Sequence, residues 1–348
     1  MATKGTKRIL RIVFIVASIA SLYFVPWVMV KAWILPLPDT VQEQVNDAVS
    51  DGLDGMIVYV DQAGSPPEFY AAGWHDRKNK IPANPKAIFK IASISKLYVA
   101  VTVAKLVTDK QLSLDKTLAD YLPELRSSVE NADKITLRML VKHRSGIPNF
   151  TDTPGYWEAE PKSNSENLEL VLNKPADFKP DEKYSYSNTN YLLIGDILDK
   201  TLGYSHHQYI KSEILKPLGL NNTYSLLHEV NIDDVMSGYN EGYDGDLKNN
   251  DFINPAGSMV ATAQDVGIFL RALNNGSLLN DKEQAIYSSI YEYEHTGLLP
   301  GYSSIAKYHK DIDTVVIQFV NTSGGYSWNL SEVVYNRIVK IVGKRKND

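Results

Sequence analysis

The chain has 348 residues, 44% of them hydrophobic and 22% charged, a globular composition sufficient for one large domain or two ordinary ones with a sizeable core. Its net charge of −5 gives no electrostatic footprint for nucleic acid, and the one basic run, KRKND at the C-terminus, reads as solvated surface. The absence of cysteine excludes disulfides, a thiol nucleophile and thiolate metal sites; the seven histidines show no HExxH or similar ligand spacing, so no metal and no cofactor is expected.

At the N-terminus Lys4, Lys7, Arg8 and Arg11 precede an uncharged run from Ile12 to Val30. At the helical rise this run spans roughly 28 Å, close to the hydrocarbon thickness of a bilayer, and predicts an N-terminal transmembrane helix. Basic residues lie before it and Asp39, Glu43 and Asp47 after it, so the charge bias makes residues 1–35 a cytoplasmic basic end plus anchor and places residues 36–348 outside the cytoplasm. A cleaved signal peptide competes, because Ser18 to Ala20 is an acceptable small-residue cleavage site; the apolar run continuing through Trp27, with Trp33 beyond, favours the uncleaved anchor.

The segment ILPLPD, with Pro36 and Pro38, reads as a linker. Beyond it, Val41, Val45, Ala48 and Val49 fall on one helical face with Gly52 as a stop, and GMIVYVDQ and EFYAAGWH form two strands joined by the turn AGSPP. From Ile94 to about Leu273 the pattern is mostly helical, broken by Gly, Pro and Asn clusters such as RSGIPNFTDTPG. AIYSSIYEYEH, YSSIAKYHK and DTVVIQFVN then read as strands, and WNLSEVVYNRIVKIV as a closing amphipathic helix. Strands at both ends around a helical middle predict an α/β (α+β) fold: an antiparallel sheet built from N- and C-terminal segments, flanked by helices, with an inserted all-helical subdomain over about 95–275.

Three serines have a lysine three residues on: Ser93 with Lys96, Ser113 with Lys116, and Ser304 with Lys307. Ser93 follows the extended segment AIFKIA and precedes an apolar helix with Leu97, Ala100, Val101, Ala104 and Val107 at helical spacing. A serine opening that helix lies at the positive end of its dipole, with Lys96 one turn on along the same face. A lysine shielded from water has a lowered pKa and can take the hydroxyl proton. Ser113 reads instead as a cap or turn residue, and Ser304 lies in a strand whose lysine points to the other face. A plain helix cap remains the competing reading for Ser93 on local pattern alone.

Two further segments bear on that choice. YSYSN places Tyr186 and Asn188 before another apolar helix, and EHTG places His295, Thr296 and Gly297 at the start of a strand. SxxK, YSN and HTG, in this order, resemble the three motifs of the serine β-lactamase and penicillin-binding superfamily. The resemblance extends over roughly residues 55 to 340, including the connecting blocks ITLRMLVKHRSGIPNF and NPAGSMVATAQDVGIFLRAL. Tyrosine in the second motif is similar to the class C β-lactamases and to the DD-peptidases and esterases that share their fold.

The resemblance implies an acyl-enzyme on Ser93, with Lys96 and Tyr186 sharing general-base and general-acid work and Asn188 holding Lys96 and the substrate amide. It implies that His295 and Thr296 bind a substrate carboxylate or carbonyl, that Gly297 leaves room for the substrate backbone, and that the N–H groups of Ser93 and Leu298 form the oxyanion hole. It further implies a bacterial cytoplasmic membrane protein acting on a small-molecule or peptide substrate: a D-alanyl peptide, a β-lactam or an ester. DD-peptidase or β-lactamase-like hydrolysis leads, since histidine in the third motif looks more like the DD-peptidases; an esterase or a non-catalytic penicillin-binding sensor are the alternatives. Glu294 and Asp181 depart from the family's usual glycines, and His143 is taken as structural.

Overall fold

The computed structural model describes residues 4–159 and 163–345; the last three residues of the basic tail lie outside it, while Arg345 pairs with Glu68 at 2.9 Å. Two helices come first, α1 (Lys4–Leu22) and α2 (Trp27–Ile34), then α3 (Val41–Ser50), whose N-terminus is closed by a capping box between Thr40 and Glu43. Strands β1 (Gly55–Gln62), β2 (Glu68–Asp76), β3 (Ile81–Pro82) and β4 (Phe89–Lys90) follow. The middle of the chain holds α4 (Ser95–Thr108), α5 (Leu118–Tyr121), α6 (Leu137–Val141), α7 (Asn164–Glu169), α8 (Asn188–Leu202) and α9 (His206–Ile210), then the short strands β5 (Thr223–Tyr224), β6 (Tyr239–Asn240) and β7 (Val260–Ala261). The chain ends with α10 (Ala263–Asn275), α11 (Asp281–Ile290), β8 (His295–Leu299), β9 (Tyr302–His309), β10 (Thr314–Val320), β11 (Thr322–Ser323) and α12 (Ser327–Lys344).

The main sheet has the order β3-β2-β1-β10-β9-β8 with antiparallel neighbours throughout, so N- and C-terminal strands meet at the β1–β10 pair and β8 is an edge. One face carries α3 and α12, packed through Val41, Val45, Val334 and Ile338. The other carries α4 and α10, packed through Leu97, Val101, Phe269 and Leu270. α4 also joins a second core with α6 and α8, to which it lends Val99, Val103 and Leu106. A helix that serves two cores needs apolar residues all round, which explains its weak amphipathicity: nearly every residue from Ser95 to Leu106 is buried.

Three expectations are corrected. The segment AIYSSIYEYEH is not a strand: Asn280 caps α11, its side chain accepting from the N–H of Glu283 while Glu283 reaches back, and this capping box outweighs the alternating aromatic pattern that follows. The middle is not all helical, since β5 and β7 join β4 in a small three-stranded sheet. Nor is the apolar N-terminal run one helix. Among the described residues no single helix is long and apolar enough to cross a membrane; α1 and α2 satisfy that test together but meet at a 76° bend. Pro26 is the cause, because it has no N–H to give the Leu22 carbonyl four residues back. The Trp27 indole N–H takes that carbonyl instead, at 2.9 Å.

Candidate active site

From β4 the chain passes through a single 3-10 turn, Ala92–Ile94, before α4 begins at Ser95, so Ser93 stands two residues ahead of the helix rather than as its first residue. Ala92 has φ +50°, a left-handed conformation costly for a residue with a Cβ. Ser95 holds this turn: its hydroxyl donates to the Ala92 carbonyl at 2.6 Å and accepts the Met259 N–H at 3.2 Å.

Lys96 is completely buried where the two cores meet. Its Nζ has three polar neighbours: Ser93 Oγ at 3.0 Å, Asn188 Oδ1 at 2.9 Å and the Ala256 carbonyl at 2.6 Å. Burial drives its pKa well below the ordinary lysine value. A neutral amine has two N–H bonds, and Asn188 Oδ1 and the Ala256 carbonyl can only accept. They therefore take both, which aims the nitrogen lone pair at Ser93 Oγ.

The direction of the Asn188 amide is set in turn by the loop after α6. Asn149 Oδ1 accepts the Asn188 backbone N–H at 2.9 Å, so its Nδ2 faces Asp152 Oδ1 at 2.9 Å and Thr151 Oγ1 at 2.7 Å. Thr151 Oγ1 also accepts Asn188 Nδ2 at 3.2 Å, which leaves Oδ1 turned to Lys96.

Tyr186 donates its phenol to Ser93 Oγ at 2.8 Å, and Lys96 Nζ lies 4.8 Å from its ring centroid. Burial raises the Tyr186 pKa above the ordinary phenol value, opposed by the bond to Ser93. The phenol thus carries its proton at neutral pH. His143 stacks on the Tyr186 ring at 4.4 Å, its Nδ1 accepting the Ser187 N–H at 3.2 Å and its Nε2 buried without a partner. Burial, helped by the nearby charges of Lys96 and His295, holds its pKa at about 3.

On β8, packing by itself requires glycine at position 297. A Cβ there would lie 2.4 Å from the Ile91 carbonyl oxygen, 2.4 Å from Ser304 Oγ and 3.0 Å from Ala92 Cβ. Glycine lets the edge strand touch the turn that carries Ser93. Ser304 fastens that contact, its hydroxyl within hydrogen-bond reach of the Ile91 carbonyl at 3.1 Å and the Gly297 carbonyl at 3.4 Å. Thr296 and the exposed Leu298 flank this point on the same edge strand.

His295 is fully engaged. Its Nδ1 faces the Thr296 carbonyl, which can only accept, so Nδ1 carries the proton and Nε2 accepts the Tyr291 hydroxyl at 2.9 Å. Burial, reinforced by Lys96, lowers its pKa to about 4. The imidazole is therefore neutral at neutral pH.

Of the residues singled out in the sequence, Ser93, Lys96, Tyr186 and Asn188 form one hydrogen-bonded cluster, with His295, Thr296, Gly297 and Leu298 on the strand beside it. Ser113 lies in a turn away from them, Tyr184 is exposed, and Lys307 pairs with Glu294 at 2.9 Å. Asp181 fills its glycine-like position with φ +64° and pairs with Arg144. Sequence reading missed Asn149, Thr151, Ala256 and Tyr291, whose only signal was membership of the connecting blocks or of the misread α11 segment. A cavity of about 440 Å³ has Tyr186, His143, Tyr291 and His295 in its wall; a larger one of about 730 Å³, between Val28 and the 239–244 loop, is lined by none of the cluster.

Known proteins resemble the chain in sequence and in fold. The chain is 26% identical over 270 residues to PbpX of Bacillus subtilis (strain 168), covering 72% of this chain and 66% of PbpX. It is 29% identical over 152 residues to protein flp of Staphylococcus aureus (strain NCTC 8325 / PS 47), covering 43% of this chain and 30% of flp, so it spans less than two thirds of the length of these curated relatives. Among solved structures, the D-amino acid amidase from Ochrobactrum anthropi SV3 superposes with a TM-score of 0.78 at 24% identity, over 88% of this chain and 98% of the amidase, a likeness of fold. The model of the family described as Beta-lactamase matches residues 39–290, most of the chain, and the chain belongs to the β-lactamase family.

Proposed function

We propose that this protein is a membrane-anchored serine hydrolase that works through an acyl-enzyme on Ser93, on amide, lactam or ester bonds. The observation that carries the reading is the pair of bonds on Ser93 Oγ, 3.0 Å from Lys96 Nζ and 2.8 Å from the Tyr186 hydroxyl. In the proposed sequence neutral Lys96 takes the Ser93 proton as Oγ attacks the carbonyl carbon, and the N–H groups of Ser93 and Leu298 receive the oxyanion. Tyr186 then gives its proton to the departing nitrogen or oxygen and is reprotonated from Lys96, which returns the amine to its neutral state. Water hydrolyses the acyl-enzyme by the reverse roles. Asn149 and Thr151 act as positioning residues that keep the Asn188 oxygen, and hence the lone pair of Lys96, in register.

His295, with both ring nitrogens engaged, supplies no fixed charge to a substrate, so the reading takes in neutral amides and esters beside D-alanyl peptides and β-lactams. The D-amino acid amidase that shares the fold makes D-amino acid amides the first substrates to try. The anchor rests on the basic residues Lys7, Arg8 and Arg11 ahead of the apolar run, and puts the hydrolase domain outside the cytoplasm. The test is incubation with a neutral nitrophenyl ester, with D-phenylalanine amide and with a fluorescent penicillin, followed by intact mass measurement. A mass increment on Ser93 with ester or amide supports the reading. No adduct with any of the three, in protein shown to be folded, sinks it in favour of a non-catalytic protein. Turnover of penicillin faster than ester puts the β-lactamase reading first.

A further inference from the structure

We infer that α2 is an interfacial helix that lies on the lipid bilayer and clamps the hydrolase domain flat against it, a bracket and not a tether; the inference rests on the membrane anchoring proposed above. The first observation is the bend. α1 and α2 meet at 76° at Pro26, so with α2 in the membrane plane α1 points steeply into the bilayer. The corner is tied by the Trp27 indole on the Leu22 carbonyl, so it is a bonded joint.

The second observation is that the two faces of α2 meet different surroundings. Its inner face belongs to the domain: Ala32 and Met29 pack with the core beneath α12. Arg337, on α12 and 9% exposed, donates to the Ala32 carbonyl at 3.1 Å, the Leu35 carbonyl at 2.8 Å, the Pro36 carbonyl at 2.7 Å and Gln44 Oε1 at 2.5 Å. The Ala32 and Leu35 carbonyls are unpaired ends of α2, where the helix dipole is negative, and a guanidinium meets both needs. ILPLPD is therefore a fastened segment and not the linker its prolines suggested. Lys31 closes the flank by pairing with Asp51 at 2.5 Å.

The outer face is apolar and uncovered. Trp33 and Ile34 are each 75% exposed, and Tyr23, Phe24, Trp27 and Leu35 are exposed beside them. The occupant this surface fits is lipid. Ahead of Lys31 it runs on without a charge from Trp27 into the apolar residues Ile12 to Leu22 of α1, and its tyrosine and tryptophans pair an apolar body with a polar edge, the chemistry of the headgroup boundary.

Because the chain has no cysteine, single cysteines can report depth in the full-length protein. Nitroxide labels on Trp33→Cys, Ile34→Cys and, as an aqueous control in the β1–β2 turn, Ser65→Cys are compared in vesicles of phosphatidylethanolamine and phosphatidylglycerol. Labels at 33 and 34 are expected to collide with oxygen and to be shielded from a water-soluble nickel chelate, the reverse of the label at 65. In Arg337→Gln, Lys31 is expected to lose its protection from trypsin added outside the vesicles. If the chain floats with the vesicles but labels at 33 and 34 meet nickel as freely as the label at 65, α2 is not on the lipid and the inference falls while the anchor stands. Spin–spin broadening between labels at 33 would make a second copy the occupant. Failure to float at all overturns both the inference and the anchor, and leaves the hydrolase reading to its own adduct test.

Discussion

Ser93 with Lys96 and Ser304 with Lys307 have the same spacing, and both serines lie within a few ångströms of the same turn, yet only one pair meets. Leading into α4, three residues bring the side chains onto one face, and Nζ and Oγ are 3.0 Å apart. On β9 the same three residues put them on opposite faces: Ser304 is buried against Ile91, and Lys307 points outward to Glu294. A serine–lysine spacing thus gains its chemistry from the secondary structure that carries it. The second serine has a different task, fastening the edge strand to the turn of the first.

That contrast breaks most sharply at the nucleophile. Ser93→Ala is expected to abolish adduct formation with the nitrophenyl ester, whereas Ser113→Ala leaves it unchanged; the reverse result, by intact mass on folded protein, would move the nucleophile. Next in size is Tyr186→Phe, which removes a proton needed in the transition state and should lower kcat by about 10² or more with KM little changed. In the wild type kcat/KM should rise with pH as Lys96 loses its proton, at a pH well below that of an ordinary lysine, and fall only above pH 10 where Tyr186 ionises. An acidic limb at the ordinary lysine pKa would remove Lys96 as the base.

Thr151→Val frees the Asn188 amide to turn and should lower kcat by roughly tenfold, within the range of a displaced catalytic group, while moving the acidic limb; Thr151→Ser should restore both. Equal loss in the valine and serine variants would reduce Thr151 to packing. Ser304→Ala should cost about 1 kcal/mol, the usual worth of a hydrogen bond, and slow the reaction a few-fold by loosening β8; a chemical denaturation curve and one rate measurement decide it. An effect as large as that of Ser93→Ala would mean that the second serine is more than a fastener.

The smallest effect concerns acid stability. His143 and His295 have folded pKa values of about 3 and about 4, below the ordinary 6.5, so between those values the unfolded chain binds more protons than the fold. Stability should therefore fall as pH drops from about 6.5 towards 3. His143→Asn, which tolerates the left-handed backbone at that position, should flatten the slope of melting temperature against pH whatever it does to the melting temperature at pH 7. An unchanged slope would mean that His143 contributes nothing to it.

What could be read from the sequence was what short-range geometry determines. Ser93, Lys96, Tyr186 and Asn188 could be picked out because their motifs, in order, resemble those of a known superfamily, and the strands of the β1–β10 pair announced themselves by β-branched runs. Asn149, Thr151, Ala256 and Ser304 were illegible as site residues because each reaches the cluster from a distant segment, and a carbonyl such as that of Ala256 leaves no mark in composition. α11 was missed because alternating aromatics were weighed above the capping box at Asn280 and Glu283. The bend at Pro26 was legible in principle, since proline inside an apolar helical run breaks it, but hydropathy over the whole run averaged it away.

The complete burial of Lys96 has a consequence for the life of the chain before it is folded. Its walls come from α4, from Asn188 at the start of α8 and from the Ala256 carbonyl, with Tyr186 and Tyr191 presenting their ring faces. Until those segments have closed around it, the amine is solvated and protonated like any surface lysine, and Ser93 is an ordinary alcohol. On the proposed mechanism, completion of the tertiary structure is itself the activating event, so a nascent or partly folded chain would carry no reactive serine, and a destabilising lesion far from the cluster would silence the chemistry by letting water reach one nitrogen.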